Sequence, residues 1–356
     1  MQKKTIVLAL GAGLVSGTAQ ADVDLLGKAV QLYGQLHVSA DYYDRGSATG
    51  AVPDPVGVEI TSNSSRIGFK GKRELVPGLD GVFKFESDVD VSGERGTLSE
   101  RNRYLGLSGA WGTLIAGVHD TPHKITGSDY TLFGDTVGDR RSILGQTAAG
   151  ANLFNVRAKS MAQYQVGVAG FQAKAMYSND FEGNSNPDNN QTLVGAGIGY
   201  ANKMFSVGAA YEAQESMGGV ANSDASGMRV GAKVKFGPAQ VGAIYEKLTD
   251  DGFGAAVERD AYGVNARVKL ADFTLAAQYL VADNSEAATN DGADQYSFGM
   301  YYDLAKDAQV YVMYAALDND DGASYRLARS GHGQSFNPTA AGEKVTAASV
   351  GMIYKF

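Results

Sequence analysis

Residues 228–236, MRVGAKVKF, alternate between apolar side chains and basic side chains or glycine. One set of alternate positions holds Met228, Val230, Ala232, Val234 and Phe236, and the other holds Arg229, Gly231, Lys233 and Lys235. Successive side chains of a β-strand point to opposite faces, so the pattern predicts a strand with one apolar and one charged face. A helix would repeat its apolar positions about every 3.6 residues, and this segment does not.

The same alternation recurs along the chain up to its last residue. It is found in AVQLYGQLHVSADYY at 29–43, SSRIGFKGK at 64–72, AYGVNARVKL at 261–270, QYSFGMYYDL at 295–304 and ASVGMIYKF at 348–356. Short connections lie near 76–81, 110–112, 167–170, 201–203, 237–238, 271–272 and 305–308, and long ones near 44–63, 91–100, 119–155, 179–191, 214–225, 250–258, 283–293 and 318–343. Seven tight turns and eight long loops predict sixteen strands.

Two faces of opposite polarity need two different solvents. Sixteen strands closed into one barrel enclose a space that side chains cannot fill, so the apolar face cannot be the interior. Closure leaves no unpaired strand edge, which lipid would not tolerate. The sequence therefore predicts an all-β transmembrane antiparallel up-and-down β-barrel with an apolar outside and a polar, water-filled inside. A girdle of tyrosines on the apolar face fits this interpretation: Tyr177, Tyr200, Tyr211, Tyr245, Tyr279 and Tyr314.

The amino-terminal segment has the layout of a secretory signal peptide. Lys3 and Lys4 precede an apolar run at 6–15 and a small-residue box, Ala-Gln-Ala, at 19–21. We therefore expect residues 1–21 to be a signal peptide and 22–356 to be the barrel domain. Without the two lysines the formal net charge changes from −8 to −10, which argues against nucleic acid as a partner. Cysteine is absent, which excludes disulfides, thiol catalysis and cysteine metal sites.

Five motifs together resemble those of a Gram-negative general porin. They are LYGQL at 32–36, SSRIGFKGKREL at 64–75, YLGLSGAWGTLIAGVHDTPHK at 104–124, LFGDTVGDRRSI at 132–143 and VGMIYKF at 350–356. The resemblance covers essentially all of residues 22–356. It implies a bacterial outer-membrane location, contact with lipid and lipopolysaccharide, and a homotrimer. It also implies that the third long loop folds into the barrel and that the barrel-insertion machinery reads Phe356 as an assembly signal.

The third long loop, 119–155, is the longest predicted connection, and loops of this length usually have a function. It carries apolar anchors at Ile125, Leu132, Phe133 and Ile143 between the acids Asp120, Asp129, Asp135 and Asp139. We expect the anchors to pack against the inside of the barrel. The loop would then narrow the channel and present its acids to the lumen.

The basic side of the predicted constriction comes from the strands. Alternation places Arg66, Lys70, Lys84 and Arg157 inside, and the resemblance matches Arg66 and Arg157 to positions of constriction arginines. Gln35 stands where some family members carry lysine. Arg103 is a further candidate, but like Arg101 it alternates with the outward Leu105 and Leu107. These two arginines reach the pore only through a bulge or at the rim.

Acids facing arginines across a narrow aqueous gap would select solutes by charge and size together. We therefore expect passive diffusion of ions and small hydrophilic solutes, without catalysis, cofactor or metal. The sign of the ion selectivity stays open, because the chain is acidic while the lumen positions are basic. A substrate- or ion-specific channel of the same fold, and a barrel whose outer loops act as an adhesin or phage receptor, are the alternatives.

Overall fold

The computed structural model describes residues 23–26, 29–47, 55–93, 98–146, 154–183, 191–220, 223–251 and 257–356. The predicted signal peptide, residues 1–21, lies outside these ranges. Within them, sixteen antiparallel strands form one closed β-barrel, which confirms the predicted fold class and strand number.

The strands follow one another around the barrel in chain order. Their bounds are β1 Gln31–Asp44, β2 in two segments Val56–Ser62 and Arg66–Val76, β3 Leu79–Val89, β4 Leu98–Gly109, β5 Gly112–Asp120, β6 Arg157–Val168, β7 Phe171–Ser178, β8 Thr192–Ala201, β9 Phe205–Glu215, β10 Ala225–Phe236, β11 Ala239–Asp250, β12 Val257–Leu270, β13 Phe273–Ala282, β14 Ala293–Asp303, β15 Ala308–Asn319 and β16 Val345–Lys355. A two-residue strand, Val23–Asp24, pairs with the start of β1. An α-helix, α1, spans Pro122–Asp129, and 3₁₀ helices span Arg140–Ser142 and Met217–Gly219.

The last strand closes the barrel against the first. Met352 of β16 pairs with Val38 of β1, and the register continues over both strands. Both segments of β2 pair with β1 on its other side, so they form one strand interrupted at 63–65. The strand therefore begins at Val56, earlier than the predicted loop 44–63 allowed, because Val56, Val58 and Ile60 continue the outward apolar pattern.

The side chains are sorted between the two faces as predicted. Phe298 is 55% exposed and Val230 is 37% exposed, both on the outside, whereas Lys233 on the same strand as Val230 is only 7% exposed. Five of the six predicted girdle tyrosines are exposed on the outer face: Tyr177, Tyr211, Tyr245, Tyr279 and Tyr314. An apolar exterior and a polar interior are the arrangement of a barrel that spans a membrane.

The long loop between β5 and β6, residues 121–156 and here called loop 3, supplies much of the buried apolar surface. Phe133, Val137, Ile143 and Leu144 of loop 3 belong to one buried cluster with Leu280 of β13. Residues of the long loop between β15 and β16, 320–344 and here called loop 8, join it: Ala323, Tyr325, Leu327, Ala328 and Phe336. Within the described ranges, no helix is both long and apolar enough to cross a membrane.

Candidate channel constriction

Loop 3 begins with a short, well-capped helix. Thr121 precedes α1 and its side chain accepts a hydrogen bond from the backbone N of Lys124 at 3.2 Å, while Pro122 occupies the first turn. The helix packs against β7 to β10. Its buried residues are Pro122, His123, Thr126 and Gly127. The start of the loop is thereby fixed against one wall rather than extending away from the barrel.

Polar side chains of the inner wall hold the loop backbone at three successive points. Arg229 Nη1 donates to the carbonyl of His123 at 2.8 Å, and Asn265 Nδ2 donates to the carbonyl of Tyr130 at 2.8 Å. Gln278 Oε1 accepts from the backbone N of Leu132 at 2.7 Å. These wall residues face the lumen, so loop 3 lies inside the barrel along β10, β12 and β13. Buried polar groups need partners, and the wall supplies them.

A buried charge cluster fixes the far end of the loop. Glu246 Oε2 accepts from Arg229 Nε at 2.8 Å, and Glu246 Oε1 accepts from the backbone N of Gly145 at 2.7 Å. Arg259 Nη2 donates to the carbonyl of Ile143 at 3.3 Å and lies 3.8 Å from Glu246 Oε1. Glu246 and Arg229 are fully buried. Removing one partner would leave an uncompensated buried charge, which is strongly destabilising.

Asp135 connects the loop to the wall on the opposite side. Its carboxylate lies 3.9 Å from Arg66 Nη1 of β2 and accepts from Arg141 Nη2 at 2.6 Å. Burial by itself would raise the pKa of Asp135, but Arg141 and then Arg66 outweigh it and hold the pKa well below its ordinary value. Asp135 is therefore anionic at neutral pH.

A second group of charges lies where β5 ends and the loop begins. Asp120 Oδ1 is 3.2 Å from Arg157 Nε and 2.8 Å from Lys124 Nζ. Asn102 Nδ2 donates to the other carboxylate oxygen at 3.1 Å. Burial lowers the pKa of Lys124 to about 8, with Asp120 opposing the shift. Asp120 and Arg157 of the wall thus form a direct ion pair.

Glu86 lies among the basic wall residues, and the sequence pattern did not single it out. Its carboxylate is 3.2 Å from Lys84 Nζ and 2.6 Å from Arg101 Nε, and it accepts from Tyr33 OH at 2.8 Å. Lys70 Nζ lies 5.0 Å from the centre of the Tyr33 ring. The wall side of the site is therefore a network that contains its own acid.

A bulge between β3 and β4 decides which arginine enters the lumen. Phe85 pairs with Arg103 and Ser87 pairs with Glu100, so residues 101 and 102 both stand opposite Glu86. The extra residue turns Arg101 inward to Glu86 and to Asp88, whose carboxylate is 2.7 Å away. Arg101 is a site residue for which alternation alone predicted an outward position.

Three predicted site residues lie elsewhere. The prediction of Arg103 as a constriction residue was wrong. Its guanidinium lies 4.7 Å from the ring of Phe85, which is exposed on the outer face. Asp139 does not face the lumen, because it is fully buried inside loop 3, where it caps the 3₁₀ helix and binds Arg141. Asp129 lies beside β7 to β10, with its carbonyl accepting from Lys233 Nζ at 2.6 Å, and not opposite Arg66.

A model of the family described as Gram-negative porin matches residues 5–322 of the chain. This chain belongs to the Gram-negative porin family. Its place is accordingly the bacterial outer membrane.

The porin has relatives among well-characterised proteins and solved structures. It is 30% identical over 208 residues to the major outer membrane protein P.IB of Neisseria gonorrhoeae, and the matched region covers 58% of this chain and 55% of that protein. The chain thus spans little more than half the length of the curated relatives it matches. An anion-selective porin from Comamonas acidovorans matches with a TM-score of 0.76 at 22% identity, covering 92% of this chain and 99% of the other. A trimer form of OmpT from Vibrio cholerae, folded in vitro, matches with a TM-score of 0.68 at 21% identity over 92% and 99% of the two chains. At these sequence identities the two matched structures support an inference about the fold only.

The last residue of the porin completes the closing pair of strands. Phe356 N donates to the carbonyl of Gly34 at 3.1 Å, and Gly34 N donates to the carbonyl of Phe356 at 2.7 Å. The Phe356 ring lies over Gly34 so closely that a Cβ there would be 2.3 Å from Cζ. Because Met352 and Tyr354 on the same parity are exposed outside, the ring belongs to the outer face.

Loop 8 covers part of the lumen above the site, a feature that the sequence pattern did not predict. His332 Nε2 lies 2.9 Å from Asp41 Oδ2 of β1, and both side chains are fully buried. The Phe336 ring stacks on Tyr43 with 4.6 Å between ring centres. Ser64 donates to the carbonyl of Gly331 at 2.9 Å, which ties loop 8 to the interruption in β2.

Proposed function

We propose that this porin is a water-filled channel for passive diffusion of ions and small hydrophilic solutes, without chemical conversion of the solute. Loop 3 carries this proposal, because it is held inside the barrel and brings Asp135 to within 3.9 Å of Arg66 on the facing wall. Charges on the loop and on the opposite wall produce a field across the aqueous path. Dipolar solutes can align in such a field, whereas apolar solutes must displace ordered water.

The constriction in this proposal consists of residues from the wall and the loop. The basic members are Arg66, Lys70, Lys84, Arg101 and Arg157, and the acidic members are Asp120 and Asp135. Reconstitution into planar bilayers in KCl tests the proposal directly. We expect stepwise conductance increases, and a folded barrel that inserts without conducting ions would contradict it.

The assembled form that we propose is a homotrimer in contact with outer-membrane lipid and lipopolysaccharide. Support comes from the family and from the matched Vibrio cholerae structure, which is a trimer form. We also propose that the barrel-insertion machinery recognises Phe356. Conductance that rises in groups of three equal steps and a trimer mass in detergent would support the assembly, while a stable monomer would contradict it.

A channel that prefers anions is a second candidate within the same fold. The observation that favours it is the state of the acids, since Asp120, Asp135 and Glu86 are each paired with a basic residue. Lys70 adds positive charge on the same wall. Reversal potentials in a KCl gradient separate this candidate from a non-selective channel.

A further inference from the structure

A large recess lies beneath loop 3, between its Leu132–Phe133 tip and the short turns 237–238, 271–272 and 304–307. Short turns of such barrels face the periplasm, so we call this recess the periplasmic pocket. Its volume is about 950 Å³, and the ends of β10 to β16 form its wall. That volume matches sites that hold small organic molecules.

The polar lining of the pocket is predominantly basic. Its charged residues are Lys235, Arg267, Lys269, Lys306 and Lys355 against Asp272 and Asp303. Asp303 is already bound, because its carboxylate is 2.7 Å from Lys269 Nζ and accepts from Gln309 at 2.6 Å. Arg267 Nη2 donates to Gln240 at 3.0 Å, which orients the guanidinium along the wall. Enclosed surfaces of one charge sign concentrate ions of the opposite sign.

An aromatic surface adjoins these cations. The Phe133 ring of loop 3 stacks on Tyr301 with ring centres 6.3 Å apart and planes inclined by 28°. Gly299 permits this approach, because a Cβ at that position would lie 2.7 Å from Phe133 Cε1. Tyr301 in turn lies 5.6 Å from the Tyr311 ring. Leu132 and Ala276 complete the apolar part of the lining.

The strand register places the basic and aromatic parts within reach of one small solute. Arg267 pairs with Ala276, and Ala276 pairs with Gly299, next to Phe133. Adjacent strands are about 5 Å apart, so about 10 Å of wall separates the backbone of Arg267 from that of Gly299. A carboxylate on a single aromatic ring spans that distance once the Arg267 side chain turns from Gln240 on β11 toward β13.

We propose that the periplasmic pocket binds organic anions with an aromatic ring, of the aromatic carboxylate class, while they pass through the channel. The carboxylate binds Arg267 and Lys235, and the ring packs against Phe133, Tyr301 and Leu132. The inference rests on the proposed function, since it names a class of solute for the same lumen. It differs from general diffusion in that such solutes dwell in the pocket.

Block of the KCl current by added solutes tests the pocket. Benzoate, acetate and benzylamine are titrated on either side of a bilayer that contains the purified porin at constant ionic strength. Acetate lacks the ring and benzylamine has the wrong charge. We expect benzoate to reach half-maximal block at about one tenth of the acetate concentration, and benzylamine to block least.

Four variants locate the effect. Arg267→Gln removes a charge-assisted contact and should raise the half-blocking benzoate concentration about tenfold, with Lys235→Gln as a second variant should the first not fold. Tyr301→Leu should raise it about fivefold for benzoate and leave acetate unchanged. Lys72→Gln is the matched control, because it removes the same charge near the periplasmic end of β2 without lining the pocket.

The outcomes separate the inference from the function on which it rests. Equal block by benzoate and acetate, or equal effects of Lys72→Gln and Arg267→Gln, would overturn the pocket while KCl conductance still supports the channel. Absence of KCl conductance would overturn the channel. In that case equilibrium dialysis of radiolabelled benzoate against the detergent-solubilised porin still decides the pocket, since binding lost in Arg267→Gln supports it and no binding refutes it.

Discussion

Arg66 and Arg103 carry the same charge on opposite faces of one barrel wall. Arg66 lies in the lumen beside Asp135, whereas Arg103 lies outside over the ring of Phe85. Their contributions to ion passage should therefore differ, although both belong to neighbouring parts of the sheet. The pair allows a charge in the pore to be distinguished from a charge on the protein.

Neutralising the lumen arginine should change ion selectivity. We expect Arg66→Gln to lower the anion-to-cation permeability ratio about twofold, because removal of one cation leaves Asp135 less compensated within a Debye length of the path. Reversal potentials in a tenfold KCl gradient, about 0.1 M on the dilute side, measure the ratio. Arg103→Gln is the control and should leave it unchanged, and an equal shift in both variants would refute the assignment.

Phe356 fills the space left by Gly34, so its side chain should matter for closing the barrel. We expect Phe356→Ala to reduce the amount of folded barrel in the outer membrane severalfold, because the closing contact and the proposed assembly signal are both lost. Gel mobility without heating measures the folded fraction. Met352→Ala, which changes an exposed lipid-facing residue of the same strand, should have little effect.

Alternation in the sequence was enough to predict Lys70 and Lys84 inside and Phe298 outside, because each lies in an unbroken stretch of strand. It failed at Arg101, because one extra residue opposite Glu86 shifts the phase of the pattern, whereas Arg103 keeps the outward position that alternation gives it. Such a bulge depends on pairing with another strand, which is not visible locally. The prediction that Asp139 faces the lumen was wrong for a different reason, because the burial of this residue depends on how loop 3 folds on itself.

At the scale of the element, loop 3 is positioned by the buried Arg229–Glu246–Arg259 cluster. This cluster joins the loop end at Ile143 and Gly145 to three wall strands. Loss of any member would leave both a charge and a loop backbone group without a partner. The loop therefore depends on a few buried contacts, while its surroundings are held by the hydrogen bonds of the barrel.

Replacing Glu246 should make loop 3 more mobile while the barrel stays folded. We expect Glu246→Gln to cost about 3–5 kcal/mol of local stability, because Arg229 and Arg259 would stay buried without a counter-charge. Single-channel recordings should then show more current noise and closure at lower voltage. Lys247→Gln is the matched control, because its partner Glu258 is on the surface and exposed ion pairs contribute little to stability. Quiet currents in Glu246→Gln would contradict this anchor.

The acids of loop 3 should keep their charge in mild acid. Arginines hold the pKa of Asp135 and of Asp139 below the ordinary 3.8, against the opposing effect of burial. A carboxylate with a lowered folded-state pKa stabilises the loop above its unfolded pKa, and this contribution is lost as the pH falls through the folded value. Current noise should thus be unchanged between pH 7 and about 4 and rise below that. A rise already between about pH 6 and 5 would exclude these aspartates as the cause.

At the scale of the whole molecule, stability depends on the two faces meeting different solvents. Ala175 of β7 is exposed on the outside, and Gln172 of the same strand is exposed to the lumen. The alternation that separates them extends to all the strands. An introduced charge should consequently lower the free energy of unfolding strongly on the lipid-facing outer face and only slightly on the lumen face.

Arginine substitutions on β7 test this difference. We expect Ala175→Arg to destabilise the barrel by about 2–4 kcal/mol, because a cation would face the hydrocarbon near mid-strand. Gln172→Arg should change stability by about 0.5 kcal/mol or less, as surface substitutions in water do. Denaturant titration of the barrel in lipid vesicles gives both values. Similar costs at the two positions would mean that the outer face is not in lipid.

Loop 8 folds down into the mouth, with His332 and Phe336 held against β1. The connection between β14 and β13, by contrast, exposes residues 286–290 at the cell exterior. A peptide epitope grafted at 286–290 should be reached by antibodies on intact cells. The same epitope at 332–336 would displace the buried side chains of loop 8. We expect it to alter solute flux through the channel without being reached by antibodies. Although it is long, loop 8 is thus a poor site for labelling the cell surface.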